Sequence, residues 1–330
     1  MKYVDIHCHL DSEDYDSDRE EVLARMEKEG VGTITIGTDL ESSKRAVEIA
    51  RINARIYACI GVHPVRDEET ENISNGTGPD EFSKTQGEKG LALGFSEKEF
   101  EEGPDGVPSP DQGEGHAERG VGFNEVKFEK LIANPKVIAI GECGLDYFAP
   151  RSSSGAKSEV GFSVKQTQKK LFEQQIKFAL KHDKPLMLHI RDDHQNFSSK
   201  NLGGQAYEDV LNILESYKKA EGGEKLRGNV HFFAGSKEIA KRFLDLGFTM
   251  SFTGVVTFTH DYDEVIKFLP KEAIMSETDA PFVAPVPYRG KRNEPTYVIE
   301  VVKKLAEIRG EDVATLNTQI IENFKRVFSA

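Results

Sequence analysis

The chain has 330 residues, 38% of them hydrophobic and 30% charged, which is enough to bury a sizeable core and excludes fibrous or low-complexity classes. No apolar run reaches the length of a membrane span, and "MKYVDIHCHL" shows no charged-then-apolar leader, so a cytoplasmic globular protein with no membrane partner is expected. The formal charge of −13 argues against nucleic-acid binding over the whole surface, yet residues 66–122 alone hold 15 acidic and 5 basic residues, so the acidity belongs mostly to one segment.

The first strand-like run, Tyr3–Ile6, passes into His7 and His9 in "VDIHCHLD". Residues i and i+2 of an extended chain point the same way, so both imidazoles can face one point. "SDREEVLARMEKEG" reads as a helix from a Ser/Asp cap to Gly30. A strand at Gly32–Ile36, a helix over "LESSKRAVEIARIN" and a strand at Ile56–Ile60 follow, the last leading to "GVHP" with His63. Residues 66–122 are rich in Gly, Pro, Ser and acids and read as a long irregular insertion, with a short helix near Glu97–Phe100.

The alternation then resumes. A strand at Val137–Ile140 leads to "GECGLDY", with Glu142 and Asp146. After a Gly/Ser stretch at 151–163, "VKQTQKKLFEQQIKFALKH" places Leu171, Gln175, Ile176, Ala179 and Leu180 on one helical face. The strand Leu186–Leu188 leads to "HIR", with His189 and Arg191, and a second loop spans 193–205. Helices over "YEDVLNILESYKK", "SKEIAKRFLDLG" and "DYDEVIKFLP" separate strands at Asn229–His231, Thr249–Phe252 and Ala273–Met275. The last of these leads to "SETDAP", with Glu277 and Asp279. Two extra helices, "PTYVIEVVKKLAEIRG" and "EDVATLNTQIIENFKRVF", are expected at the end. This order predicts a (β/α)8 TIM barrel spanning 1–330 as one domain, in preference to a doubly wound open sheet. Cys8, Cys59 and Cys143, an odd number in apolar runs, are expected to be buried thiols.

Five of nine histidines, His7, His9, His63, His189 and His231, fall at strand ends, in register with Glu142 and Asp279. In a barrel those ends share the face that carries the active site. His116, His182, His194 and His260 fall elsewhere and read as solvent-exposed. Imidazole and carboxylate together suit borderline or hard divalent ions, and the set exceeds what one tetrahedral site needs. Two ions sharing a carboxylate, with a hydroxide between them, would serve hydrolysis. Arg191 suits a phosphate, since its planar fork takes two oxygens at once.

The stretches "DIHCHLD", "GVHP", "IGECGLDY", "LHIR", "HFFAGS", "SETDAPF", "YRGKRNEP" and "ENFKRVF" resemble, in order, the motifs of the TatD-like metal-dependent deoxyribonucleases of the amidohydrolase group. The resemblance implies two divalent cations per chain, Mg or Mn for activity with Zn or Fe as alternatives. It implies one ion on His7, His9, Glu142 and Asp279 and the other on Glu142, His189 and His231. His63 and Arg191 would lie near the scissile phosphate and Arg289 at the rim, with Gly290 and Asn293 shaping the loop after the eighth strand. Asp279 would also take the proton from the attacking water. The expected substrate is DNA, as single strands or ends trimmed exonucleolytically by a monomer. Two alternatives are hydrolysis of an ester or amide such as D-aminoacyl-tRNA, and an inactive barrel used as a binding module. The longer linker before "IGE", and "HFFAGS" in place of the more usual "HCFSGS", bear on substrate choice more than on ligation.

Overall fold

The structure is a computed structural model that describes residues 1–65, 123–148, 160–193 and 203–329. The expected insertion at 66–122, its helix near Glu97–Phe100, most of the two shorter loops, His116 and His194 lie outside the described residues. Eight strands are all parallel and neighbour one another in chain order: β1 Tyr3–Cys8, β2 Val31–Ile36, β3 Ile56–Ile60, β4 Val137–Asp146, β5 Leu186–Arg191, β6 Gly228–Val230, β7 Phe248–Phe252 and β8 Ile274–Ser276. The ring closes where the chain leaves β8: Asp279 N donates to His7 O at 2.9 Å and His9 N to Ala280 O at 2.7 Å. Ser276 Oγ donates to Val4 O lower in the same seam. This is the TIM barrel expected, and its strands are near-continuous runs of buried residues, as parallel strands covered on both faces must be.

The helices among the described residues are α1 Arg19–Glu29, α2 Leu40–Ile52, α3 Glu125–Ile132, α4 Phe162–Lys181, α5 Gln205–Lys219, α6 Lys237–Asp245, α7 Asp263–Phe268, α8 Val298–Arg309 and α9 Val313–Phe328. Their ends follow local chemistry. Gly30 ends α1 in the left-handed conformation, Asp39 and Ser42 close a capping box on α2, and Ser236 caps α6.

Three details correct the sequence reading. The eight-residue α3, just before β4, was not anticipated. Of the two helices expected as extras, α8 is the eighth helix of the barrel and only α9 is additional. It crosses the N-terminal mouth, where Asn323 Nδ2 donates to Lys271 O and Ile274 O, and Asn317 Nδ2 to Lys2 O. Finally, β4 and β5 run past their apolar cores through Asp146 and Arg191, so Glu142 and His189 lie within strands. "GECGL" looks like a turn, but its glycines serve close strand pairing. A Cβ on Gly144, at φ +144°, would lie 2.0 Å from His189 O, and one on Gly141, at φ +152°, 2.5 Å from Met187 O.

Cys8, Cys59 and Cys143 are buried free thiols, as expected. No helix among the described residues is long and apolar enough to cross a membrane.

Candidate metal centre

The C-terminal ends of β1, β4, β5 and β6 and the turn after β8 bring His7, His9, Glu142, His189, His231 and Asp279 into one cluster. The Nε2 atoms of His7 and His9 are 3.4 Å apart, and each lies 3.6 Å from Asp279 Oδ1. Glu142 Oε2 is 3.7 Å from the first and 3.9 Å from the second. The other oxygen of Glu142, Oε1, faces His189 Nδ1 at 2.9 Å and His231 Nε2 at 3.7 Å. Each oxygen of one carboxylate therefore meets its own pair of imidazoles. His63 also joins Glu142 and His189 closely enough to share an ion, with its ring 4.3 Å from that of His189.

The far side of each ring decides what the near side can do. His9 Nδ1 lies 3.0 Å from Ile36 O, His189 Nε2 lies 3.0 Å from Asp146 Oδ2, and His231 Nδ1 lies 3.0 Å from Glu277 Oε1. At His9 and His189 the acceptor holds a proton on the outer nitrogen and leaves the inner one for a metal, the arrangement found behind metal-ligating histidines, whereas Glu277 stands beside His231 Nδ1 without an aligned hydrogen bond. His63 is different. Its Nδ1 accepts from Val65 N at 3.2 Å, which places the proton of the neutral ring on Nε2 and makes that atom a donor.

A further layer holds the acceptors. Glu277 receives Phe232 N at 2.7 Å and Ser251 Oγ at 2.6 Å, and Ser251 in turn accepts from Asn229 Nδ2. Two glutamines seven residues apart on α4 clamp the backbone of neighbouring strand ends. Gln168 exchanges hydrogen bonds with the Asp146 backbone and Gln175 with that of Val62, beside His63. Asp5, buried inside β1, accepts from Thr278 N, Thr278 Oγ1 and His7 N, which ties the turn carrying Asp279 to the strand carrying His7. Asn293 completes that turn by donating to Thr278 O and Phe282 O. Asp279 itself sits at φ +55°, a conformation a non-glycine residue keeps only where its surroundings impose it.

The sequence reading named Glu277, Asp146 and Asn293 but gave Glu277 and Asp146 no function, and it missed Asp5, Gln168 and the backbone clamp of Gln175. A polar residue inside an otherwise apolar strand or helix face was the available signal. Of the expected substrate residues, His63 joins the cluster, while Arg191 and Arg289 make other contacts. Arg191 is exposed at the rim with its guanidinium 3.8 Å over the Phe148 ring, while Asp192, its neighbour, instead accepts from Gly204 N and Ala206 N at the start of α5. Arg289 stacks 4.1 Å over Phe258 and donates to Ala284 O, so it braces the loop after β8.

The donors fit a metal. With metal–ligand distances of about 2.1 Å, adjacent ligands of a four-coordinate ion sit about 3.4 Å apart. The 3.4–3.9 Å separations among His7, His9, Asp279 and Glu142 match that spacing. Without a cation, protons must take its place. Burial disfavours charge on His9, but the Asp279 and Glu142 carboxylates outweigh it and raise its pKa to about 9. The same burial is outweighed at His189 by Asp146 and Glu142, again to about 9. Burial and the neighbouring His231 push His7 well below its ordinary value. Burial opposes ionisation of Glu142, yet His7 and His189 hold its carboxyl well below the usual range.

The family model described as TatD related DNase matches residues 4–329. A metal-dependent hydrolase of Bacillus subtilis, YabD, is 34% identical, with 98% of each chain covered. The metal-dependent hydrolase TatD of Mycobacterium tuberculosis is 27% identical, covering 96% of this chain and 94% of that one. The fold is shared with the TatD homologue YjjV of Escherichia coli, at TM-score 0.69 and 21% identity over 100% of this chain and 98% of that one. A TatD-family hydrolase of Entamoeba histolytica superposes at TM-score 0.66 and 20% identity, over 99% and 98%. Matched from end to end by the family model and by these relatives, the chain belongs to the TatD family of metal-dependent hydrolases.

Proposed function

We propose that this protein is a deoxyribonuclease that hydrolyses phosphodiester bonds and trims single DNA strands from an end. The observation that carries the reading is the placement of the Arg191 guanidinium, 3.8 Å over Phe148, two residues along β5 from His189. A planar cation at the rim of a metal-donor cluster suits a phosphate diester, and the family description points the same way.

His7, His9, Glu142 and Asp279 would hold one divalent cation and Glu142, His189 and His231 a second. The donor set favours Mg or Mn and also accepts Zn or Fe. Bound there, the ions would supply Lewis-acid polarisation of the phosphate and a lowered pKa for the attacking water. Asp279 accepts the proton that this water loses. Arg191 orients a non-bridging phosphate oxygen. His63, with its proton on Nε2, donates a hydrogen bond to a phosphate oxygen.

The test is digestion of end-labelled single strands and blunt duplexes with Mg or Mn, with and without chelator. A metal-dependent ladder growing from one end of the single strand supports the reading. Failure to cut any DNA, together with hydrolysis of an aminoacyl ester, would move the chain to carbonyl chemistry.

A further inference from the structure

The turn that carries Asp279 continues into Phe282, a residue 55% exposed among the described residues. A lone exposed ring is common on a protein surface and marks nothing by itself; its place beside the donor cluster is what distinguishes this one. The Phe282 ring lies 6.0 Å from that of His9, nearly edge-on at 68°. Its backbone is fixed on both sides: Phe282 N donates to Asp279 O at 2.9 Å, and Phe282 O accepts from Asn293 Nδ2. Pro281 precedes it and Pro285 and Pro287 follow, which removes further backbone freedom. The backbone that carries the ring is thus held in place before any ligand arrives, so no backbone entropy need be lost when something stacks on it.

We propose that Phe282 is the platform for the nucleobase of the nucleotide undergoing cleavage, an assignment that rests on the deoxyribonuclease reading. A base hangs within a few ångströms of its own phosphate, so a ring one imidazole away from the donor cluster is within reach of the reacting nucleotide. Arg191 flanks the cluster from the end of β5 and Phe148 from just past β4, and Phe282 from the turn after β8. The strand is gripped by phosphate on one flank and by base on the other. Stacking tolerates every base because each has a π-face, so the subsite selects unpaired DNA without selecting sequence. A paired terminal base is already stacked and must be freed first, which makes duplex ends the poorer substrate.

The test compares wild type, Phe282→Ala and Phe282→Tyr on three substrates: a single strand, the same strand with an abasic nucleotide at the reacting position, and a blunt duplex. Phe282→Ala should lower kcat/KM on the intact single strand by roughly 5- to 100-fold, mostly through KM. Phe282→Tyr should restore it. On the abasic strand all three proteins should be alike and slow. A wild type that cuts DNA while Phe282→Ala matches it on the intact strand would overturn the stacking assignment alone. A loss in Phe282→Ala of the same size on the abasic strand would overturn it too, because the ring would then serve the loop and not the base. A wild type that cuts none of the three would overturn the deoxyribonuclease reading and this assignment together.

Discussion

Glu277 Oε1 lies 3.0 Å from His231 Nδ1, on the side of the imidazole turned away from Glu142. Both partners are buried, and Phe232 N and Ser251 Oγ fix the carboxylate. Burial disfavours charge on His231, but the Glu277 carboxylate outweighs it and raises its pKa, so Glu277 acts on the centre through a ring it does not share. Glu277→Gln keeps the shape and removes the charge. Affinity for the ion on His231 should fall about 10- to 100-fold, the usual scale for such partners, as read by metal titration. Unchanged affinity would reduce Glu277 to a packing role.

The metal-free centre is expected to release protons when it loads. His9 and His189, raised to about 9 by their carboxylate neighbours against the effect of burial, carry protons at pH 7 that an ion must displace. Their folded values lie above the ordinary 6.5, so protonation stabilises the metal-free fold fully below about pH 6.5 and progressively less as pH rises through 9. Metal affinity should run the other way and climb from pH 6.5 to 9. Calorimetry at pH 7 in buffers of different ionisation enthalpy should show that loading releases protons, with a heat that depends on the buffer. No buffer dependence would mean that these rings are already neutral.

Asn293 is a positioning residue for Asp279. Its side-chain amide reaches Thr278 O on one side of Asp279 and Phe282 O on the other, and Tyr15 Oη donates to its own carbonyl. Asn293→Ala leaves two carbonyls without these donors, at a cost of about 1–3 kcal/mol of stability. A purely structural role would stop there. The positioning role adds weaker metal binding and a lower kcat at temperatures well below the melting transition. Full kcat at saturating metal in this variant would contradict it.

Arg191→Lys keeps the charge and loses the planar fork. Its side chain is exposed, so the melting temperature should move little. KM for single-stranded DNA should rise about tenfold or more, and the salt dependence of binding should persist because the charge remains. Equal losses of stability and activity would assign Arg191 to the scaffold.

The barrel was legible because buried parallel strands and amphipathic helices leave plain periodic marks, as in α1 between Asp18 and Gly30. The donors were legible because scarce histidines recurred at strand ends. The layer behind them was hidden. Asp5 and Gln168 look like single polar interruptions in apolar runs, and only the closed ring shows that Asp5 meets Thr278, 273 residues away in sequence. β4 runs on past Ile140, where its apolar run ends, through Gly141 and Gly144, whose missing Cβ lets two strands approach. Phe282 carries no such mark, since sequence does not distinguish an exposed ring from a core one.

The central claim is that Glu142 joins two cation sites. Equilibrium titration with Mn2+, followed by electron paramagnetic resonance of the free ion, measures it directly. Wild type should bind two ions per chain, and Glu142→Ala should bind weakly at both sites, since one oxygen faces His7 and His9 and the other His189 and His231. A Glu142→Ala protein that is folded and still binds two ions with wild-type affinity would contradict the account.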